Sequence, residues 1–461
     1  MYYDDLLKLC GYEIEDIENV RPRLEKAFKI LEFTPEDFNK AEQRVKHYYD
    51  VDLLSIRKML GIWFKSLIDL VLAKEDGKKV VYTSMPPYFH ILNGLTIVSE
   101  DVYVTSPDIT LAYAVGGIFG KLLPYLEEAE RDVFTVSSAS CSPIELKLGA
   151  INLGAIPLPD LCISSGHVCD QTPKLDEILN LRYGTHVVYA DGTHDEYEKV
   201  WPNVSEKRVE YVTGITEEIL QRVNKILGCS MTKEIAEKAD LRIARISRKS
   251  KRVFELIKSA DPQPTGFVNV GALMRLAKLS VNSTTVAEDI DGLLELFYDE
   301  LQERIKQGKG NGPKGKPRVG ISGLSSIPEP TAMIEEAGLA IVVDFTGLAP
   351  VEEELVESRY EDYWSRGAET MLRHSSGKYS TRLIQVCREW NLDGAILNPP
   401  IGCRELCRVP LKEKELIQKQ LGKPSLILEC DLADTRTYSD ESLRTRLEAF
   451  VEMLKAKQNS T

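Results

Sequence analysis

Residues 77–98, GKKVVYTSMPPYFHILNGLTIV, and residues 315–343, GKPRVGISGLSSIPEPTAMIEEAGLAIVV, follow the same order of features. Each begins with Gly-Lys, continues through a Val-rich run into Ser and Pro, and then takes up helical spacing as far as a Gly-Leu pair. One further residue leads to Ile-Val in both. Identity between the two stretches is low, but an order that recurs in one chain predicts two domains of related topology.

The first copy also predicts its elements. KKVVYTS has the composition of a strand, PPYFHILNGL that of a helix, and TIVSE that of a second strand. The correspondence extends downstream, because Asp160 precedes Cys169 by nine positions and Asp393 precedes Cys403 by ten. We therefore predict an α/β fold with two related parallel-sheet domains of the Rossmann/flavodoxin-like kind.

The rest of the chain is predicted to be helical or to link the two domains. Apolar residues recur at helical spacing in LLSIRKMLGIWFKSLIDLVLAK, and KQGKGNGPKGKP has the Gly, Lys and Pro content of a linker. The predicted organisation is an N-terminal helical region (1–75), a first α/β domain (76–206), a helical connector (207–306), a linker (307–317) and a second α/β domain (318–461).

Composition limits the classes of function. A chain of 461 residues is too long for a single core, and a net charge of -13 argues against binding to a nucleic-acid backbone. No apolar run approaches the ~18 residues of a membrane span, and the first residues lack the pattern of a signal peptide. We therefore expect a cytoplasmic protein. Thiols stay reduced there, so the nine cysteines are expected to serve metal binding, catalysis or packing rather than disulfides.

Several cysteines are predicted to meet at one edge. Cys169 and Cys403 each follow a predicted strand, and ligands bind at the carboxyl ends of strands in open parallel sheets. Cys141 opens a predicted helix, whose dipole favours a thiolate. Cys407 shares a helical turn with Cys403, and Cys430 ends the strand SLILEC. Five thiolates gathered in this way indicate a soft metal, either an iron–sulfur cluster or zinc.

The other cysteines and motifs are assigned differently. Cys162 lies early in its strand, where packing is at least as good an interpretation as ligation, and the place of Cys10 stays open. Cys229 and Cys387 are predicted to be structural, and His167 to hydrogen-bond locally. No G-x-x-x-x-G-K-[ST] loop occurs, so ATP binding by this chain is not expected.

At these residues the chain resembles the family of 2-hydroxyacyl-CoA dehydratases, benzoyl-CoA reductases and double-cubane cluster proteins. The resemblance runs from about residue 77 to the end and rests on YTSMPP, CSPIELKLGAI, PDLCISSGHVCD, DGAILNPPIGCRE and LILECDLADTRTYSDESLRTRLEAF. It implies that Cys141, Cys169 and Cys403 hold a [4Fe-4S] cluster with one open iron. It also implies a separate ATP-hydrolysing [4Fe-4S] activator that supplies low-potential electrons.

Two departures decide between the branches of that family. Acyl-CoA members usually carry an acidic residue soon after the first-strand Pro, where this chain has Tyr88-Phe89-His90. Cys407 and Cys430 are additional to a single cubane, and with Cys162 or Cys10 they complete six ligands. The favoured expectation is therefore an [8Fe-9S] double-cubane reductase of small unsaturated molecules that works as a homodimer. A [4Fe-4S] 2-hydroxyacyl-CoA dehydratase subunit and a zinc-stabilised scaffold are the alternatives.

Overall fold

The structure is a computed structural model that describes residues 1–83, 89–132, 140–166, 169–190, 204–280, 283–323, 327–345, 358–375, 378–407 and 409–458. Tyr88, His167 and the side chains of Phe89 and His90 lie outside the described part, so the expectations placed on them are not addressed by the structure. In the described helices, no segment is both long enough and apolar enough to cross a bilayer.

Two four-stranded sheets share one topology. The first contains β1 (Lys79–Thr83), β2 (Val102–Thr105), β3 (Leu161–Ser165) and β4 (His186–Ala190) in the order β2-β1-β3-β4. The second contains β5 (Arg318–Ser322), β6 (Ala340–Asp344), β7 (Gly394–Leu397) and β8 (Ser425–Ile427) in the order β6-β5-β7-β8. All pairings are parallel. The predicted α/β fold with two related parallel sheets is confirmed.

The repeat extends to individual hydrogen bonds. Immediately before β3, the Asp160 backbone N–H donates to the Val80 carbonyl at 2.8 Å, and the Val80 N–H donates to the Asp160 carboxylate at 2.7 Å. Before β7, Asp393 and Arg318 make the same reciprocal pair, at 2.7 and 2.8 Å. The two aspartates thus join the first and third strands of their sheets in the same way.

Helices surround both sheets, and their bounds show how they are distributed. An N-terminal group comprises Asp4–Leu9, Ile14–Ile30, Pro35–Tyr48 and Leu54–Leu72. The first sheet is accompanied by Phe89–Val98, Pro107–Thr110, a π-helix over Leu111–Phe119, Leu123–Asp132, Ser142–Asn152 and Gln171–Tyr183. Between the sheets come Glu206–Leu227, Lys233–Ser259, Phe267–Leu279 and Thr284–Lys306. The second sheet is accompanied by Pro328–Glu336, Tyr363–Ser375, Lys378–Glu389, Arg404–Cys407, Pro410–Leu421, a 3-10 turn at Thr435–Thr437, and Asp440–Gln458.

The helices between the sheets contact both halves of the molecule. Lys233–Ser259 packs on Phe89–Val98 of the first half, and Glu206–Leu227 packs on Tyr363–Ser375 of the second. Thr284–Lys306 lies along Leu54–Leu72 of the N-terminal group, which in turn packs on the π-helix. The two sheets are therefore held in one helical framework.

The prediction of a strand at TIVSE is wrong. The preceding helix continues to Val98, and β2 begins only at Val102. Gly94 does not end this helix but lets another helix approach closely, since a Cβ there would lie 2.8 Å from the Met231 sulfur and 3.3 Å from the Ala236 Cα. Its counterpart Gly338 has a φ of +95° and does follow the end of a helix. The two Gly-Leu pairs look alike in sequence but have different roles.

Candidate functional site

Two of the predicted cysteines follow equivalent strands. Cys169 comes shortly after β3 and Cys403 after β7, and each of these strands lies next to the first strand of its sheet. The strand order reverses between β1 and β3 in the first sheet and between β5 and β7 in the second. At such a reversal a crevice forms outside the carboxyl ends of the strands. The topology therefore places both thiols at the ligand-binding edges.

Cys141 joins them from the start of a helix. It is the N-cap of Ser142–Asn152 and is 6% exposed, and its carbonyl accepts the first helical hydrogen bond from the Ile144 N–H at 3.0 Å. Burial raises the pKa of the Cys141 thiol well above its usual value, and the nearby Cys169 and Cys403 raise it further. Like charges act this way only at short range, so the structure brings these three thiols to one space.

The loops that carry Cys141 and Cys403 touch each other. Gly402 has a φ of +78°, and a Cβ on it would lie 2.1 Å from the Ser140 carbonyl oxygen and 3.0 Å from the Cys141 Cα. A side chain at position 402 would therefore push the two domains apart at the thiols. The absence of a Cβ at this position permits the close approach.

A set of polar contacts, the interdomain clasp, reinforces that approach. The Ser142 hydroxyl donates to the Asp431 carboxylate, which also accepts from the backbone N–H groups of Ala433 and Asp434 at 2.9 and 3.0 Å. Farther out, Arg436 pairs with Asp434 at 2.9 Å and with Glu130 of the first domain at 2.5 Å. These contacts fix the segment after Cys430 against the helix that begins at Cys141.

The clasp covers a carboxyl group that sequence reasoning missed. Glu145 is 2% exposed, and its Oε1 has no hydrogen-bond partner among the described residues. Burial raises its pKa to about 8, with Asp431, Glu130 and Asp434 adding to the rise and Arg436 opposing it. An acid in a first helical turn usually indicates a solvated partner of the helix dipole. Here Glu145 is instead a buried acid, and Asp431 and Asp434 of the second domain are among its charged neighbours.

Cys407 and Cys430 lie near Cys403 in the chain but differ in surroundings. The Cys407 N–H donates to the Cys403 carbonyl at 2.9 Å, and its exposed side chain lines an open cleft of about 630 Å³. Cys430 is fully buried, and burial raises its pKa to about 12. The charged neighbours that affect this pKa are Arg446, Asp431 and Glu429, whereas those of Cys141 include two thiols.

The backbone at Cys430 is fixed by one side chain. Asn398, directly after β7, accepts from the Cys430 N–H at 2.9 Å and donates to the Cys430 carbonyl at 3.0 Å. It also donates to the Gly323 carbonyl at 2.5 Å, so three segments at the strand ends of the second sheet meet at one buried amide.

The remaining cysteines have packing partners of their own. Cys162 is fully buried in β3, where Asp176 and Lys147 are its charged neighbours. Cys10 is buried at the end of the first helix, with Arg57 as its charged neighbour. Cys229 donates to the Asn224 side chain at 3.3 Å. Cys387 is 2% exposed within the core.

The three-thiol space suits a cluster better than a single metal ion. Within the described residues, no three His, Cys, Asp or Glu side chains are grouped closely enough to hold one ion. A cubane is wider than one ion, so the thiols that share it stand farther apart. The buried Ser140 hydroxyl beside Cys141 has no partner in the described part of the chain, which suits a hydrogen bond to a cluster sulfide. The donor set fits a [4Fe-4S] group held by Cys141, Cys169 and Cys403.

The fold and the site together define a class of protein. It has two α/β domains with parallel sheets, and three cysteines lie at the strand ends between them. A family model described as 2-hydroxyglutaryl-CoA dehydratase, D-component, matches residues 104–454. The chain belongs to this family, which confirms the resemblance found in the sequence.

Named relatives are similar over most of their length. The chain is 22% identical to one of the subunits of benzoyl-CoA reductase from Thauera aromatica, over 84% of this chain and 91% of that protein. It is 21% identical to the alpha chain of (R)-phenyllactyl-CoA dehydratase from Clostridium sporogenes, over 91% and 98%. It is also 21% identical to the alpha chain of lactoyl-CoA dehydratase from Anaerotignum propionicum, over 83% and 92%. The relatives include both dehydratases and a reductase.

Proposed function

We propose that this chain is the iron–sulfur component of an enzyme that acts on acyl-CoA thioesters, with Cys141, Cys169 and Cys403 as the ligands of a [4Fe-4S] cluster. The observation that carries the proposal is the shared space of these three thiols between the strand ends of two sheets. The substrate class is supported by the names of the relatives, which are CoA-ester dehydratases and a CoA-ester reductase. Such a cluster supplies one-electron transfer and an iron that a substrate oxygen can bind.

The protein's own residues have defined parts in this proposal. Cys141 and Cys169 present thiolates from the first domain, and Cys403 presents one from the second. Gly402 allows the two loops to meet, and the interdomain clasp keeps water from the Cys141 side. The Ser140 hydroxyl, buried beside Cys141, would be available to donate a hydrogen bond to a sulfide of the bound cluster, an interaction that would tune its reduction potential. Electrons come from a separate ATP-hydrolysing activator, in line with the absence of a G-x-x-x-x-G-K-[ST] loop from the sequence.

The double-cubane reductase is the second candidate, and one observation favours it. Cys407 lies one helical turn from Cys403, and Cys430 follows β8 at the same edge of the sheet. With Cys162 as a sixth ligand, these thiols match the number that an [8Fe-9S] group needs. In this structure, however, Cys162 is fully buried near Asp176 and Lys147 and Cys407 faces a cleft, so the geometry supports the single cluster better.

Metal content after strictly anaerobic purification separates the candidates. The single-cluster proposal predicts a brown protein with about four irons per chain, and near-complete loss in Cys141→Ser, Cys169→Ser and Cys403→Ser. Cys407→Ser and Cys430→Ser should keep their iron, as should the control Cys387→Ala. About eight irons in the parent, falling towards about four in Cys407→Ser or Cys430→Ser, would establish the double cubane. A colourless protein loaded with zinc would overturn both.

Activity and assembly provide independent checks. The proposal predicts turnover of a 2-hydroxyacyl-CoA or aryl-CoA ester only when an ATP-hydrolysing activator is added. Reduction of small molecules without CoA would favour the double-cubane reductase instead. Light scattering of the anaerobic protein tests the predicted homodimer, because an obligate pairing with a second, different subunit leaves the isolated chain monomeric.

A further inference from the structure

A buried ion pair lies beneath two of the three thiols. The Lys147 ammonium donates to the Asp176 carboxylate at 2.7 Å, and the two side chains are only 1% and 2% exposed. Burial by itself lowers the pKa of Lys147, but Asp176, Cys162 and Asp108 together raise it, so the lysine stays charged. Removing two charges from water costs free energy that an apolar pair would not require, so a buried pair is weak evidence for stability. Its location is more informative.

Each partner is on a helix that begins at a proposed ligand. Lys147 is on Ser142–Asn152, whose N-cap is Cys141, and Asp176 is on Gln171–Tyr183, which starts just after Cys169. At a rise of 1.5 Å per residue, the Cα of each charged residue is about 9–11 Å along the helix axis from the Cα of its cysteine. The ion pair therefore joins the two helices less than two turns below the thiols.

Two further contacts transmit this link to the thiol end. The Thr172 hydroxyl, in the first turn of the Asp176 helix, donates to the Cys169 sulfur at 3.4 Å. On β3, the strand that leads to Cys169, the thiol of Cys162 is fully buried with Asp176 and Lys147 as its charged neighbours. Asp176 thus bonds with the helix of Cys141 and lies near the strand that precedes Cys169.

We propose that Lys147 and Asp176 are positioning residues that set the separation of Cys141 and Cys169, with the Cys162 thiol as the third member of their network. The cluster that these two thiols would hold rests on the proposed function. The distance between the thiols can be tested whether or not a cluster is bound. The network gives Cys162 a role in orienting ligands and explains why a polar network is placed where apolar side chains would pack.

The test compares variants of the anaerobic protein. Lys147→Met/Asp176→Leu removes the link without leaving a lone buried charge, so the fold is expected to persist. Residues that orient metal ligands typically affect affinity about 10- to 100-fold, so the initial rate of iron release to a chelator should rise at least about tenfold. The electron paramagnetic resonance spectrum of the reduced cluster should also change. The conservative variant Asp176→Glu keeps the carboxylate and should resemble the parent in both iron release and spectrum. A merely structural pair would not alter that spectrum in a variant with the parent's urea midpoint.

A matched control uses another ion pair. Arg304 and Asp50 are partly buried at 19% and 21% exposure, in elements that carry none of the three thiols, and Arg304→Met/Asp50→Leu should release iron at the parent rate. Parent-like release and spectrum in Lys147→Met/Asp176→Leu would overturn the inference. Should that variant not fold, Lys147→Met/Asp176→Asn keeps the size of the acidic side chain and still leaves no lone buried charge. Faster release in Lys147→Met/Asp176→Asn supports the inference, and parent-like release overturns it.

A parent protein without iron would overturn the proposed function, and a second readout would then decide the inference. In reduced, metal-free protein, dibromobimane links two thiols that lie close together, each thiolate displacing one bromide. The cross-linked Cys141–Cys169 peptide should form in the parent and be largely lost in Lys147→Met/Asp176→Leu. An equal yield in both proteins would overturn the inference even without a cluster.

Discussion

Gly402 of the second domain lies against Cys141 of the first, and a Cβ at position 402 would be 3.0 Å from the Cys141 Cα. The same Cβ would be 2.1 Å from the Ser140 carbonyl oxygen, and neither contact can be relieved by moving a flexible side chain. This one glycine therefore controls how closely the loops of two proposed ligands can approach.

Gly402→Ala is expected to lower iron content as well as stability. A non-glycine residue in the left-handed region costs about 1–2 kcal/mol, and the backbone clash separates the loops in addition. Gly154→Ala is the matched control, because Gly154 has a φ of +68° and nothing within 4 Å of its Cβ position. Iron per chain should fall in Gly402→Ala and hold in Gly154→Ala. Equal iron in the two variants would show that the loop contact is unimportant.

Ser142→Ala tests the buried part of the interdomain clasp. Ser142 and Asp431 are 2% and 3% exposed, and a hydrogen bond to a charged group contributes about 1.5–3 kcal/mol. Arg436→Met tests the outer part, where the Glu130 pair is 24–36% exposed and is expected to contribute at most about 1 kcal/mol. Urea unfolding should show the larger loss for Ser142→Ala, and only the Arg436 effect should fade at high salt. The reverse order would contradict this account of the clasp.

Glu145 predicts a pH dependence of stability. Its pKa is raised from the ordinary 4.5 to about 8, mainly by burial, so between these values the folded protein keeps a proton that the unfolded chain has released. This contribution to stability is present at low pH and is lost as the pH rises through about 8. Glu145→Gln removes it, so the urea midpoint of this variant should fall less than that of the parent between pH 5 and pH 8. Parallel profiles would show that Glu145 is ionised in the folded state.

Asn398→Ala should be strongly destabilising, because three buried hydrogen bonds to Cys430 and Gly323 depend on one amide. At about 1 kcal/mol each, their loss corresponds to about 3 kcal/mol in the free energy of unfolding. Asn152→Ala is the control, since its bond to Asp132 is exposed and should contribute within about 0.5 kcal/mol. Similar unfolding free energies for the two variants would rule out a structural role for the Asn398 amide.

The sequence by itself determined the two related sheets and the strand-end position of Cys169 and Cys403. These features follow from local periodicity and from an order of residues that occurs twice, and parallel strands leave little freedom in where their carboxyl ends lie. The sequence could not show that the glycines of the two Gly-Leu pairs have different structural roles. Gly94 and Gly338 are each followed by Leu in the sequence, and only the approach of Met231 and Ala236 makes the first a packing glycine.

Only the tertiary structure decided which groups share an environment. Cys162 and Cys169 are seven positions apart in one segment, yet Cys162 is buried in the core near Asp176 and Cys169 is a neighbour of Cys141. Glu145 has the sequence pattern of a solvated acid but is buried, with residues of both domains among its charged neighbours. Such outcomes depend on contacts between residues far apart in the chain, and local patterns do not encode the desolvation or the partners that those contacts impose.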